Sequence, residues 1–123
     1  MIIADTTIWI DHLRSRDPTL ERLMEGIEVL MHPFILGELM LGSIADRTDR
    51  LREWRDLPKA KVLRHEDVQL LIETHRLYSR GIGYTDANLL VTAMSSDGVQ
   101  LWTRDKRLSR LAVEMDVAAR LDH

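Results

Sequence analysis

The chain opens on an unbroken apolar run, "MIIA", that stops at Asp5, and the next stretch, "TTIWIDHLRS", places its apolar residues at helical spacing. This alternation recurs along the sequence. "EVLMH", "KVLRH", "VQLWT" and "VAARL" are further short apolar runs, each read as a strand. Between them lie helical patterns. "DPTLERLMEG" carries Asp as N-cap, Pro at the first helical position and Gly at its end. "PFILGELMLGSI" starts on Pro and is too long for an ordinary strand, and "DRTDRLREWRDL" is a polar amphipathic helix that stops at Pro58. In "EDVQLLIETHRLYSRG", Val68, Leu71, Ile72, His75 and Tyr78 form one stripe, so His75 is expected in the core or an interface and Gly81 as the terminator. "YTDANLLVTAMSSDG", capped by Thr85 or Asp86 and ended by Gly98, and "DKRLSRLAVEMD" complete the set.

Short, fully apolar strands alternating with helices predict an α/β fold. The expected architecture is an open, mostly parallel sheet of about five strands covered on both faces and joined by right-handed crossovers. At 123 residues the chain has the size of one domain, 1–123. In open parallel sheets ligands bind beyond the carboxyl ends of the strands. Asp5 closes the first strand, Asp105 follows the strand "VQLWT", and Asp86 lies in the first turn of a helix entered through the loop "RGIGY". Glu38 sits deeper in an apolar helix, near enough to point at the same edge.

Each Asp alone reads first as a helix N-cap, whose carboxylate satisfies orphan backbone donors. Glu38 is too deep in its helix to cap; it either reaches the shared edge or lays its stem on apolar surface and faces solvent. Together the four acids predict more. Carboxylates converging on one point repel one another and need compensation, and hard divalent cations such as Mg²⁺ or Mn²⁺ prefer oxygen ligands. A cation held this way serves phosphodiester hydrolysis.

Composition narrows the field. Cysteine is absent, which excludes a disulfide framework and thiolate chemistry and agrees with a reducing cytoplasm. No segment reaches the roughly 20 apolar residues that span a bilayer, and the N-terminus lacks the basic region of a signal peptide. The net charge of −3 gives no overall pull toward nucleic acid. Basic residues nevertheless cluster between Arg47 and Arg64 and again at Arg104, Lys106, Arg107 and Arg110, which suits either solvated helix faces or a grip on a polyanion. The histidines (His12, His32, His65, His75, His123) show no zinc spacing, and there is no Walker loop or nucleophile elbow.

Four segments in order, "MIIADTTIWIDHL", "ILGELMLG", "GIGYTDANLLVTA" and "LWTRDKRLSRL", resemble the PIN-domain ribonuclease toxins of the VapC type across essentially the whole chain. The resemblance implies a three-layer α/β/α sandwich and Mg²⁺- or Mn²⁺-dependent endoribonuclease activity in the cytoplasm. It assigns the catalytic and metal-holding acids to Asp5, Glu38, Asp86 and Asp105, and supporting hydroxyls to Thr6 and Thr103. Where the family often reads D-T-S, this chain reads D-T-T at Asp5, Thr6 and Thr7. RNA contacts are expected from Arg104, Lys106 and Arg107. A VapB-type antitoxin, a homodimer and a toxin–antitoxin hetero-oligomer are implied partners. Two other classes compete. A receiver-like domain shares the fold class, but only one acid closes the first strand and no suitable Lys follows "VAARL". A pure interaction module would use its acids as caps only.

Overall fold

The computed structural model describes residues 1–121; His123 lies outside the described residues. Strand β1 (Ile2–Ala4) leads through Asp5 into α1 (Thr6–Arg14), followed by α2 (Pro18–Glu25), α3 (Pro33–Met40), α4 (Arg47–Asp56), α5 (His65–Thr74) and α6 (Tyr84–Met94). Strand β2 (Gln100–Trp102) and α7 (Lys106–Glu114) complete the order. β1 and β2 pair in parallel, Ile2 opposite Gln100 through Ala4 opposite Trp102. Successive strand residues face opposite sides, and Ile2, Ile3, Ala4, Leu101 and Trp102 are all buried, so both faces of the sheet are covered.

Among the described residues two strands form, not five. The other expected strands survive as isolated parallel bridges, Ile2 with Val29, Met31 with Lys59 and Leu101 with Ala118. Alternate residues of 28–31 bond in opposite directions, as in an interior strand. Glu28 and Leu30 exchange hydrogen bonds with Ile2, whereas Met31 donates to the Pro58 carbonyl and accepts from Ala60. The run ends there because His32 turns out to cap α3 and Pro33 has no N–H to extend a ladder. "KVLRH" is not a strand; the bridge lies just before it, at Lys59. The segments therefore lie in the spatial order 58–60, 28–31, β1, β2, 117–119. The order reverses between β1 and β2, which is where open α/β sheets open a crevice for ligands.

Two helix ends differ from the pattern. α5 stops at Thr74, well short of Gly81, because Arg76 and Ser79 adopt left-handed backbone (φ 53° and 58°) so that Leu77 turns into the core. His75 is consequently exposed rather than buried. α6 begins on Gly83 as N-cap, not Thr85 or Asp86, and ends at Met94, with Gly98 further on in a turn.

His32 is wholly buried. Its Nδ1 accepts the Phe34 N–H at 3.0 Å, so the hydrogen is on Nε2, which has no partner among the described residues. Burial pushes its pKa down from 6.5 to about 4. The stabilisation from neutral His32 is therefore complete above pH 6.5 and lost as pH falls through about 4, an effect of about 3 kcal/mol. His32→Asn keeps a capping oxygen without a titrating ring. Urea unfolding from pH 7 to 4 should show the wild type losing about that much stability relative to the variant.

Candidate active site

Asp5 stands where β1 hands over to α1 and is 2% exposed. One carboxylate oxygen caps α1, accepting the N–H groups of Thr7 (3.0 Å) and Ile8 (3.4 Å). The same oxygen accepts the Thr7 hydroxyl. The other accepts the Thr103 hydroxyl at 2.5 Å. Both hydroxyls in turn accept backbone donors from the turn after β2: Arg104 N–H to Thr7 Oγ1 (3.1 Å) and Asp105 N–H to Thr103 Oγ1 (3.0 Å). Two threonines thus knit the ends of the paired strands around one carboxylate. Burial pushes the pKa of Asp5 up, and these hydrogen bonds oppose the rise.

Asp105 caps α7 through Oδ1, which accepts Leu108 N–H at 2.9 Å. Asp86 is the third residue of α6, half-buried, with a hydrogen bond from the Gly83 backbone. Its pKa is raised from 3.8 to about 6, first by burial and then by the charges of Asp5, Asp105 and Glu38. The charges of the other three acids are thus felt at Asp86. Glu38 is exposed rather than buried in its apolar helix, and it borders a cleft of about 370 Å³ between α1 and α3 with Thr6, Ile10, Leu13 and Ile44. Of the two alternatives for Glu38, its exposure matches the solvent-facing one, and its charge still reaches Asp86. The first turns of α1, α6 and α7 converge here, and their partial positive charge favours anions.

Thr6 lines the cleft beside Glu38; the hydroxyls on Asp5 belong to Thr7 and Thr103. Thr7 was legible as a hydroxyl two residues beyond an N-cap Asp, the spacing of a local side-chain turn. Arg104 pairs with Asp11 and Asp17, both at 2.8 Å, and lies over the Trp102 ring. Its guanidinium thus ties the middle of α1 and the start of α2 to the turn after β2 and is engaged within the chain. Arg107 folds against Gly81, whose φ of +83° and lack of Cβ make room for it, and donates to the Gly81 carbonyl at 3.4 Å. Lys106 is exposed.

The donor set is four carboxylates, the oxygen chemistry that suits Mg²⁺ or Mn²⁺. Among the described residues, no three acid or histidine side chains are drawn close enough to form a finished cation site. Coulombic repulsion acts over longer distances than coordination, so the charges on Asp86 report convergence without contact. No helix among these residues is long and apolar enough to cross a membrane.

The sequence pattern of the PIN domain family matches residues 2–114. The chain is also similar to Ribonuclease VapC32 of Mycobacterium tuberculosis, from strain CDC 1551 / Oshkosh and from strain ATCC 25618 / H37Rv. Each is 42% identical over 118 residues, which cover 96% of this chain and 95% of the relative.

Proposed function

The chain belongs to the PIN domain family, in its VapC type, and we propose that it is a Mg²⁺- or Mn²⁺-dependent endoribonuclease toxin acting in the cytoplasm. Residues 1–123 form the nuclease unit, and Asp5, Glu38, Asp86 and Asp105 carry the chemistry. The observation that supports this most directly is the elevation of Asp86 to about pH 6 by burial and by the other three acids. Charges are gathered there at a cost in stability, which is the signature of a functional site.

When bound, a divalent cation supplies an acidified water as nucleophile and neutralises charge on the phosphoryl oxygens. Asp5, Asp86 and Asp105 would hold it. Asp5 is pre-aimed by Thr7 and Thr103, so its oxygens need no reordering on binding. Asp105 is fixed by its cap through one oxygen. Asp86 must shed its proton to serve as ligand, so metal affinity should fall as pH drops through about 6. Glu38, exposed on α3, would orient water. Lys106 and Arg107, in the first turn of α7, offer contacts to RNA phosphates. Arg104 acts by holding the turn that presents Asp105.

The cleft beside Glu38 has Ile10, Leu13, Leu39 and Ile44 in its walls, with Glu38 and Arg14 as its charged residues. It suits an apolar segment of a VapB-type antitoxin that ends in a basic side chain. A homodimer and a toxin–antitoxin hetero-oligomer accord with the same family membership.

Purified protein, stripped of any co-purifying small protein, should cut a mixed tRNA and rRNA substrate with Mg²⁺ or Mn²⁺ and leave it intact in EDTA. Cleavage that persists in EDTA, or none under any condition, would refute the metal-dependent reading. The competing reading of the acids as caps has support at Asp5 and Asp105, which do cap. It offers no reason for their combined charge to bear on Asp86.

A further inference from the structure

All three tryptophans are core residues, no more than 1% exposed. The remaining Phe and Tyr residues are Phe34, Tyr78 and Tyr84, and two of them meet in one patch with His65. Phe34 is in the first turn of α3, His65 opens α5 and Tyr84 opens α6. The Phe34 and His65 rings are 6.4 Å apart and inclined by 30°; His65 and Tyr84 are 5.6 Å apart and inclined by 28°. His65 Nδ1 lies 2.7 Å from the Tyr84 hydroxyl. His65 stacks on Tyr84 and is tilted toward Phe34, whereas the buried Trp9 and Trp54 meet edge-on at 62°, and Phe34 also takes His32 edge-on at 77°. A stacked pair at the surface leaves an outer ring face available to a further flat ring. The pair ends in solvent, with Tyr84 41% exposed and His65 also exposed.

The patch reaches toward the acids along α3 and shares a helix start with one of them. Phe34 precedes Glu38 by four residues, one turn away on the same face of α3. Tyr84 shares the first turn of α6 with Asp86. Lys61 and Arg64, both exposed, lead into His65, and the Arg64–Glu66 pair is open to water and therefore weak. Aromatic faces beside basic side chains are the combination that holds single-stranded nucleic acid.

Resting on the ribonuclease reading above, we propose that Phe34, His65 and Tyr84 form a stacking platform for an unpaired base flanking the scissile phosphate. Bases within a duplex stay stacked on their neighbours and cannot use it, so the platform selects single-stranded RNA.

The test uses an RNA oligonucleotide spanning a cleavage site mapped with the wild type, and copies carrying an abasic nucleotide on either side of the scissile bond. Tyr84→Ala should raise KM about tenfold with kcat nearly unchanged, while Tyr84→Phe should behave as wild type. One abasic position should weaken the wild type by a similar factor and cost Tyr84→Ala nothing further, because the two changes remove one interaction. Should Tyr84→Ala fail a thermal-melt check of folding, His65→Ala takes its place. Unchanged KM, or losses that multiply, would overturn the platform while cleavage by the wild type still stands. A wild type that cuts no RNA would overturn the ribonuclease reading itself.

Discussion

Asp86→Asn should abolish cleavage and, in the absence of divalent metal, make the protein more stable. The pKa of Asp86 is about 6 in the fold against 3.8 ordinarily. An acid raised in this way adds stability below pH 3.8, where both states are protonated, and forfeits it as pH rises through about 6. At pH 7 the ionised carboxylate therefore costs the folded state about 2 kcal/mol, after a discount for its partial exposure. Asparagine keeps the size of the side chain and an oxygen for the Gly83 N–H while dropping the charge. In EDTA at pH 7 the variant should melt about 5–10 °C above the wild type, and the gap should close toward pH 4. With Mg²⁺ present the wild type should gain and the variant should not, because metal binding to the folded state alone stabilises it. Cleavage should drop about 10³-fold or more, since a ligand to the cation supplies several kcal/mol to the reaction. A variant that melts lower in EDTA, as a lost cap would make it, would put Asp86 among structural acids.

Asp5→Ala should move stability the other way, by about 2–4 kcal/mol. Asp5 belongs to the same charge cluster, yet it is buried and accepts from two backbone N–H groups and two hydroxyls. Alanine removes the cap of α1, worth about 1 kcal/mol. It also leaves the Thr7 and Thr103 hydroxyls without their acceptor in a partly buried setting, about 1–3 kcal/mol more. Relief of the charge that burial disfavours offsets part of this loss. Asp5→Asn preserves most acceptors and should cost under about 1 kcal/mol, though it too should be inactive. Urea titration in EDTA at pH 7 measures both variants. If Asp5→Ala proved as stable as wild type, the threonine clamp between β1 and β2 would have no energetic weight. Two acids of one site thus carry opposite stability signs, which separates gathering charge from building the scaffold around it.

Much of this was readable in order along the chain. Asp17 and Pro18 start α2, Pro33 starts α3 and Pro58 follows the end of α4, because caps and proline act within a turn of where they stand. The apolar runs located much of the sheet, although "EVLMH" and "VAARL" make only isolated bridges and "KVLRH" makes none. A ladder needs a neighbour aligned over several residues, and alignment is not a property of one segment. α5 could not be ended correctly from its stripe, since Leu77 enters the core only through left-handed backbone at Arg76 and Ser79.

Residue type and spacing along single segments were enough for the α/β class, and the resemblance of four segments in order was enough for the family. Other features exist only once the chain has folded. Thr7 rather than Thr6 holds Asp5, and Arg104 is engaged by Asp11 and Asp17. Phe34, His65 and Tyr84 come together from three separate helices. One cause underlies all three. A hydroxyl's partner, an ion pair across 87 or 93 residues and a ring cluster between three helix starts depend on side-chain direction after the chain has closed on itself, and local pattern carries no record of that direction.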